Sequence, residues 1–325
     1  MNPLEEKINL VMKCSVIIRT FNEERHIGRL IDGINRQEFN NKVEIEVIVV
    51  DSGSTDSTVS IAKHMGANVV TLPKEEFSFG KALNLGCEHS KGEILLFASA
   101  HVYPVYSDWI SRMIQPFNDE NVALVYGRQI GNENTHFSEH QIFSKWFPSI
   151  SNYNQSTPFC NNANCAIKKS LWQKVKYDEQ ITGLEDLAWA SIMMKKGYRI
   201  VYLAEAVIVH VHEETPQKIK NRYLREAIAF KNIYPKVHVG LHDFIRLTIY
   251  NIISDFYFAI KKRCFFFESK NIIVFRFMQF YGTYLGHRQK GIVTKELKNK
   301  FYYPSSLEST ISEELNINSK RINYN

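Results

Sequence analysis

Two adjacent carboxylates, Glu185 and Asp186, follow Gly183 and Leu184 at the start of a stretch with helical spacing. A carboxylate that lines a cleft can take a proton from a hydroxyl group and so act as a general base. The structural alternative is that acidic residues in the first turn of a helix are stabilised by the helix dipole. Because the pair begins a helix, we expect one side chain to face a cleft and the other to face the residues that support it.

A third carboxylate, Asp51, closes the β-branched run at 44–50 and opens the turn Asp-Ser-Gly-Ser-Thr-Asp at 51–56. At the carboxyl end of a strand it is placed to accept hydrogen bonds from a bound ligand. Asp56, at the end of the same turn, precedes a predicted helix, and we favour for it the role of an N-terminal cap.

The elements that must position these residues follow from the sequence pattern. The first half of the chain alternates short β-branched runs with amphipathic stretches, which is typical of an α/β domain with a mostly parallel sheet. The predicted strands are 14–19, 44–50, 68–71 and 93–97. The predicted helices are 23–37, 57–64 and 78–89. Ligands bind such a sheet outside the carboxyl ends of its strands, so the loops after the first, second and fourth strands should converge.

The second half of the chain is less regular. A strand at 122–127 is followed by a polar and aromatic region through 158 without a clear period, which we interpret as acceptor-side loops and short helices. A helix should begin near Glu185, and two short strands are predicted at 200–202 and 207–210. Beyond Pro216 the sequence predicts helices rich in aromatic residues.

Composition limits the function. The chain has 325 residues, 44% of them hydrophobic, which suits one large domain with an appendage. The net charge of +6 gathers in the C-terminal third. We favour solvated helical faces for these basic residues, and contact with an anionic membrane or a phosphorylated acceptor is the alternative. No motif that reads nucleic acid accompanies them, so nucleic-acid binding is not expected.

Cysteine usage and hydropathy point to a cytoplasmic protein at the inner face of a membrane. The five cysteines form no dense framework, so we expect reduced thiols. The N-terminus lacks the basic and apolar regions of a secretory signal. The most apolar stretch, 244–260, is interrupted by Arg246 and Asp255 and is not expected to cross lipid.

Several motifs in this order resemble those of the inverting family 2 glycosyltransferases with the GT-A fold, in the rhamnosyltransferase-like branch. They are Arg-Thr-Phe-Asn-Glu-Glu at 19–24, Val-Ile-Val-Val-Asp-Ser-Gly-Ser-Thr-Asp at 47–56, Phe-Gly-Lys-Ala-Leu-Asn-Leu-Gly at 79–86, Gly-Leu-Glu-Asp at 183–186 and His-Val-His at 210–212. Each motif is weak alone, but their order and spacing are specific. The resemblance covers about residues 14–226 and implies transfer of a sugar from a nucleotide-sugar donor to an acceptor hydroxyl.

The resemblance also implies roles for individual residues. It assigns the nucleotide site to Thr20, Phe21, Glu23, Asp51, Lys81, Asn84 and Ala100. Asp51 would contact the nucleoside, while Lys81 is equally well explained as a surface lysine. The resemblance favours Asp186 as the catalytic base, with Glu185 as the next candidate. The predicted acceptor-side groups are Asn161, Asn162 and Trp189, and a core role for Trp189 is an equal alternative.

One position departs from the family pattern. Family members usually carry Asp-x-Asp after the fourth strand, where the carboxylates hold the Mg²⁺ or Mn²⁺ that neutralises the leaving diphosphate. This chain has Ser99, Ala100 and His101 there. Imidazole suits Mn²⁺ or softer ions better than Mg²⁺. Three interpretations stay open: His101 with His210 or His212 ligates a divalent metal, protein cations replace the metal, or the chain is an inactive copy.

The predicted organisation is a leader at 1–12, a GT-A domain at 13–232, a helical aromatic and basic extension at 233–304 and a disordered polar tail at 305–325. The expected partners are a nucleotide-sugar donor, a glycan or lipid-linked glycan acceptor and a membrane surface. A binding protein on a transferase scaffold is the competing function. A sugar-nucleotide pyrophosphorylase is disfavoured, because 19–24 lacks the glycine-rich loop that it would need.

Overall fold

The computed structural model describes residues 12–39, 43–289 and 320–324. Most of the predicted leader, the end of the predicted extension from 290 onward and most of the predicted tail lie outside these residues. The sheet contains eight strands: β1 (Met12–Thr20), β2 (Val43–Asp51), β3 (Asn68–Thr71), β4 (Ile94–Ser99), β5 (Val102–Pro104), β6 (Val122–Ile130), β7 (Asn164–Lys168) and β8 (Arg199–His210).

The helices separate these strands and then continue beyond them. They are α1 (Ile27–Asn35), α2 (Thr58–His64), α3 (Phe79–His89), α4 (Trp109–Ile114), α5 (Phe137–Trp146), α6 (Lys169–Lys174), α7 (Glu185–Lys195), α8 (Pro216–Ile233), α9 (Leu241–Lys261) and α10 (Phe265–Arg288). The prediction of an α/β fold with a C-terminal helical extension is confirmed.

The strand order in the sheet is β3-β2-β1-β4-β7-β6-β8-β5. Strands β1 to β4 are mutually parallel, as predicted, while β7 runs antiparallel to both of its neighbours. Successive side chains of β1 point to opposite faces of the sheet, and both faces are packed, so the strand is buried on both sides. Val16 and Ile18 pack in the layer that contains α1, and Ile17 packs with Ala82 and Leu83 of α3.

Two element predictions need correction. The first helix is shorter than 23–37 and begins at Ile27. The two strands predicted at 200–202 and 207–210 are one strand, β8, which stays paired with β6 across a β-bulge. The region without a clear period contains a short helix, α5, as predicted, and its buried residues include the polar Ser138 and Glu139, so that its hydrophobic period is weak.

Helices α9 and α10 form a hairpin whose two helices are joined to each other by a buried ion pair. The Arg276 guanidinium donates to both oxygens of Asp255, at 2.7 and 2.8 Å, and to the Ser138 carbonyl of α5 at 3.3 Å. Asp255 therefore faces the protein interior, where it holds the Arg276 side chain that also reaches α5. None of the described helices has both the length and the apolar character needed to span a membrane.

Loss of this ion pair should destabilise the protein strongly. Asp255→Ala leaves the Arg276 guanidinium buried without its carboxylate, which typically costs about 3–5 kcal/mol. Arg246→Ala on the exposed side of the same helix is the control and should change the free energy of unfolding by no more than about 0.5 kcal/mol. Urea denaturation measures both values, and equal stability of the two variants would refute the stabilising role of the ion pair.

Candidate active site

The carboxyl ends of β1, β2 and β4 meet at one edge of the sheet. Thr20 pairs with Asp51 across β1 and β2, and Arg19 pairs with Ser99 across β1 and β4. The Thr20 hydroxyl is buried and has no hydrogen-bond partner among the described residues. This is the edge at which the loops were predicted to converge.

Asp51 is buried and shapes the turn that follows β2. Its carboxylate accepts hydrogen bonds from the backbone N–H groups of Gly53, at 3.0 Å, and Ser54, at 3.1 Å. Gly53 has a φ of 88°, a conformation that favours glycine. Asp56 accepts from the backbone N–H of Thr58, the first residue of α2, at 3.0 Å, but Ser57 occupies the cap position and Asp56 lies one residue before it. Asp51 thus has a local structural role, and its contact with a nucleoside stays a prediction.

The other predicted nucleotide residues have varied surroundings. The ring of Phe21 lies 5.0 Å from the Lys74 ammonium group. Lys81 forms an ion pair with Glu76. The buried side chain of Asn84 donates to the Tyr177 carbonyl and to Glu179, and accepts from the Trp172 indole and the Tyr177 backbone N–H. All of the observed Asn84 partners are protein groups that hold the 172–179 segment against α3.

Ala100 and His101 follow β4, and the ring of His101 lies beside those of His210 and His212. Val102 pairs with His210 across β5 and β8, which brings the two segments together. The ring centroids are 4.0 Å apart for His210 and His212, 5.1 Å for His101 and His210, and 5.9 Å for His101 and His212. The histidines that are about 110 positions apart in the chain therefore form one cluster, which we call the three-histidine cluster.

Each imidazole in the three-histidine cluster is held by a side-chain oxygen at its Nδ1 atom. The partners are Glu23 for His101 at 2.8 Å, Gln129 for His210 at 2.7 Å and Glu139 for His212 at 2.7 Å. Hydrogen bonds of this kind fix the orientation and tautomer of metal-ligating histidines. They leave the Nε2 atom of each ring available to a ligand.

The donor set fits a divalent ion of intermediate softness. One ring nitrogen from each histidine lies within 4.8 Å of the other two. The Nε2 atom of His210 is buried and has no hydrogen-bond partner among the described residues. Burial, followed by the neighbouring charges of His212 and His101, lowers the pKa of His210 well below its usual value. His210 is therefore neutral, which is the form that ligates metals, and three imidazoles suit Mn²⁺ or softer ions better than Mg²⁺.

Glu139 connects the three-histidine cluster to a buried arginine. It accepts from His212 and from Arg222, both at 2.7 Å, and Arg222 also pairs with Glu214 at 2.6 Å. Burial opposes ionisation of Glu139, but Arg222 and His212 outweigh it and hold its pKa well below the usual range. Glu139, His212 and Glu214 are also close enough to share an ion. Both carboxylates of that group are already paired with Arg222, so the three-histidine cluster is the better metal site.

The carboxylates Glu185 and Asp186 are both buried at the start of α7, after Leu184 in a left-handed conformation with a φ of 57°. Asp186 accepts from the backbone N–H groups of Asn162, at 2.9 Å, and Leu187, at 2.7 Å. Burial and the adjacent charge of Glu185 raise the pKa of Asp186 to about 7. An aspartate that titrates near neutrality is suited to general-base chemistry.

Arg19 and Asn162 hold Glu185. The Arg19 guanidinium lies 3.5 Å from a Glu185 oxygen, and the Asn162 amide donates to the same oxygen at 3.3 Å. Arg19 also lies over the Phe79 ring at 4.6 Å, and Arg225 lies 4.8 Å from that ring. Sequence reasoning did not assign a role to Arg19, although it opens the motif at 19–24. Its contact with Glu185 links the end of β1 to the carboxylate pair.

The predicted acceptor-side residues separate into two groups. Asn161 and Asn162 lie beside the carboxylate pair, and Asn161 accepts from the backbone N–H of Ala163 at 2.9 Å. Trp189 is only 1% exposed, and its indole donates to the Val175 carbonyl at 2.7 Å. The structure therefore favours the core interpretation of Trp189 over contact with an acceptor.

Comparison with known proteins places this site in context. The Glycosyl transferase family 2 model matches residues 15–179. The chain is 28% identical over 225 residues to the O-antigen chain rhamnosyltransferase RfbN of Salmonella typhimurium, over 65% of this chain and 70% of that protein. It is also 28% identical over 191 residues to the O-antigen chain rhamnosyltransferase WbaN of Salmonella anatum, over 55% of this chain and 60% of the relative.

A solved structure shares the fold. It is that of a mannosyltransferase from Pyrobaculum calidifontis in complex with GDP-Man and Mn²⁺, with a TM-score of 0.57 and 18% identity, covering 90% of this chain and 88% of that one.

Proposed function

We propose that this chain, which belongs to glycosyl transferase family 2 and has the GT-A fold, moves a sugar from a nucleotide-sugar donor to a hydroxyl of a glycan or lipid-linked glycan, with inversion at the anomeric carbon. It is a glycosyltransferase, and its Salmonella relatives act on O-antigen chains. We propose surface polysaccharide or glycolipid synthesis as its role, at the inner face of the membrane.

One observation carries this proposal, which is that three chemical groups meet at the end of β1. Arg19 contacts Glu185 of the carboxylate pair, and Glu23 holds His101 of the three-histidine cluster. Thr20, between them in the chain, pairs with Asp51. The residues that we propose for nucleoside contact, for the diphosphate charge and for the base thus lie at one edge, as inverting transfer from a nucleotide sugar requires.

In the mechanism that we propose, Asp186 removes the proton from the acceptor hydroxyl while the diphosphate leaves on the opposite face of the sugar. The backbone N–H groups of Asn162 and Leu187 fix the Asp186 carboxylate, and Arg19 balances the negative charge of Glu185. Since the pKa of Asp186 is raised to about 7 and Glu185 carries the ion pair with Arg19, Asp186 is the better base.

His101, His210 and His212 are the residues that we propose to hold a divalent metal. When bound, such an ion supplies positive charge for the leaving diphosphate. The protein contributes three oriented imidazoles, with Glu23, Gln129 and Glu139 fixing their ring orientations. Mn²⁺, the ion present with the Pyrobaculum mannosyltransferase, suits this donor set.

The test of function is transfer itself. The protein is incubated with lipid extract from its host and with a panel of radiolabelled nucleotide sugars, in the presence of Mn²⁺. We expect label from one donor to enter the lipid or polysaccharide fraction. Absence of transfer from every donor, together with failure of every nucleoside diphosphate to bind, would contradict the proposed function.

Asp51→Asn should weaken nucleotide binding by about tenfold or more, because a hydrogen bond to a charged group is worth about 1.5–3 kcal/mol. Asparagine retains one oxygen for the turn at Gly53 and Ser54, so it is a milder change than alanine. Asp56→Asn, in the same turn, is the control and should leave affinity unchanged. Calorimetric titration with a nucleoside diphosphate measures both, and equal affinities would remove Asp51 from the site.

The reaction should depend on pH through Asp186. Its pKa is raised to about 7 and the base must be ionised, so kcat/KM should increase with pH and level off above that value. An unperturbed aspartate, with a pKa near ~3.9, would give a flat profile across the neutral range. A flat profile in initial-rate measurements would show that proton transfer from the acceptor does not depend on a raised carboxyl pKa.

A further inference from the structure

The outer side of α9 is mostly apolar where a surface helix would normally be polar, with Arg246 exposed among its apolar side chains. Its exposed large side chains recur at helical spacing and comprise Ile245, Ile249, Tyr250, Ile253, Tyr257 and Ile260, which we call the α9 face. Tyr250, Ile253 and Ile260 are each more than 60% exposed. The opposite side carries the buried residues Thr248, Asp255 and Ala259. A contiguous exposed apolar face of this kind marks an interaction surface.

The turn between α9 and α10 adds two aromatic rings and a cluster of positive charge. Phe266 is 91% exposed and Phe267 is 84% exposed. The exposed basic residues around them are Lys261, Lys262, Arg263 and Lys270. Glu268 is the one acidic residue within 261–270. We call residues 261–270 the basic turn.

The hairpin is held firmly enough to present these residues as a surface. Arg276 joins α10 to Asp255 of α9 and to Ser138 of α5. Gly282 allows close approach of α10 to α8, because a Cβ atom there would collide with the Lys220 carbonyl. The exposed rings therefore project from a packed support.

The chemistry of the surface indicates its partner. A second copy of this chain docked symmetrically through the basic turn would bring like charges together. An anionic lipid surface matches both parts of this surface. Apolar side chains insert among the acyl chains, and lysine and arginine pair with the lipid phosphate groups. We propose that the α9 face and the basic turn dock on an anionic membrane surface, with the helices lying on the bilayer and not crossing it.

This placement is independent of sugar transfer but has a consequence for it. Helix α5 receives Arg276 through the Ser138 carbonyl, and the next residue, Glu139, holds His212 of the three-histidine cluster. The docking hairpin and the proposed metal site thus contact adjacent residues of one helix. Docking would hold the active site at the membrane surface, where a lipid-linked acceptor lies.

Sedimentation with vesicles tests the proposal on the full chain. We expect the wild type to bind vesicles of phosphatidylcholine with phosphatidylglycerol, and to bind phosphatidylcholine alone much more weakly. Phe266→Ser/Phe267→Ser should reduce binding by about tenfold or more, because two large apolar contacts are lost. Ile150→Ser/Tyr153→Ser, which removes two exposed apolar side chains elsewhere, is the matched control and should bind as the wild type does.

Charge reversal separates the electrostatic contribution. Lys261→Glu/Lys262→Glu should also lower affinity for anionic vesicles by about tenfold or more. Lys195→Glu/Lys196→Glu makes the same change in net charge on another exposed surface, and it should have a smaller effect. Transfer to a water-soluble acceptor should be unchanged in Phe266→Ser/Phe267→Ser and in Lys261→Glu/Lys262→Glu, so loss of vesicle binding is distinguishable from loss of catalysis.

Two results would overturn the proposal. One is equal vesicle binding by the hairpin variants and their controls. The other is a concentration-dependent dimer of the wild type in sedimentation velocity, with no vesicle binding and with dissociation on Phe266→Ser/Phe267→Ser. That second result would show that a second copy of the chain covers the α9 face.

Discussion

Asp186→Asn should bind the donor as tightly as the wild type and turn over about 10²–10⁴ times more slowly. The carboxylate is the proposed acceptor of the hydroxyl proton, and an amide cannot take that proton. The expected loss is therefore in kcat, with the affinity for the donor retained. Steady-state kinetics with the donor and acceptor found by the transfer assay, together with calorimetric titration of the donor, measure the two quantities separately.

Glu185→Gln is the matched comparison because it makes the same chemical change at the adjacent position. It removes the charge opposite Arg19 but leaves Asp186 in place, so turnover should fall less than in Asp186→Asn. Thermal unfolding of both variants must first show that the start of α7 remains folded. Near-native turnover by folded Asp186→Asn would mean that the base lies elsewhere, with Glu185 as the next candidate.

Replacement of a histidine in the three-histidine cluster should have the second large effect. Removing the hydrogen-bond partner of a metal ligand typically lowers metal affinity roughly 10–100-fold. His210→Ala removes a ligand itself, so its affinity for Mn²⁺ should fall by more than this. The increase in affinity for nucleoside diphosphate that Mn²⁺ gives the wild type should also disappear. Electron paramagnetic resonance of free Mn²⁺ measures the first effect without any turnover, and titration of the diphosphate measures the second.

His101→Ala should behave in the same way, while His89→Ala serves as the control because His89 is exposed on α3, outside the cluster. If His101→Ala and His210→Ala keep both Mn²⁺ affinity and donor affinity, metal binding by the three-histidine cluster is refuted. Charge balance by protein cations such as Arg19 would then be the better explanation for the missing Asp-x-Asp carboxylates.

The sequence predicts the parts of this site that depend on strand ends. Asp51 and His101 follow buried strands whose β-branched runs are visible in the sequence, so their shared edge follows from parallel pairing. The proximity of His210 and His212 to His101 was suggested by resemblance to the family. It depends on the pairing of β5 with β8, and β5 has only three residues and no pattern of its own.

The residues that orient the site could not be predicted because they come from distant elements with weak patterns. Gln129 lies on β6 and Glu139 on α5, and neither position stands out in the sequence. Asn84 shows the opposite difficulty. The resemblance assigned it to the nucleotide site, but in the structure Asn84 is buried where α3 packs against 172–179.

Asp255 shows how tertiary contacts change the meaning of a charge. In the sequence it interrupts an apolar stretch and argues against membrane insertion. In the structure it faces inward to Arg276, so it does not make the outer side of α9 more polar. The exposed apolar character of that side became visible only when the helix was placed on the domain.

The most direct test of the site is a crystal structure of the protein grown with Mn²⁺ and the tightest-binding nucleoside diphosphate, with anomalous differences measured at the manganese edge. We expect an anomalous peak from an Mn²⁺ ion that is bound by the Nε2 atoms of His101, His210 and His212. The diphosphate should lie beside this ion, and the nucleoside should lie near Asp51. A manganese peak away from the histidines, or a nucleotide bound away from the carboxyl ends of β1, β2 and β4, would contradict the assignment.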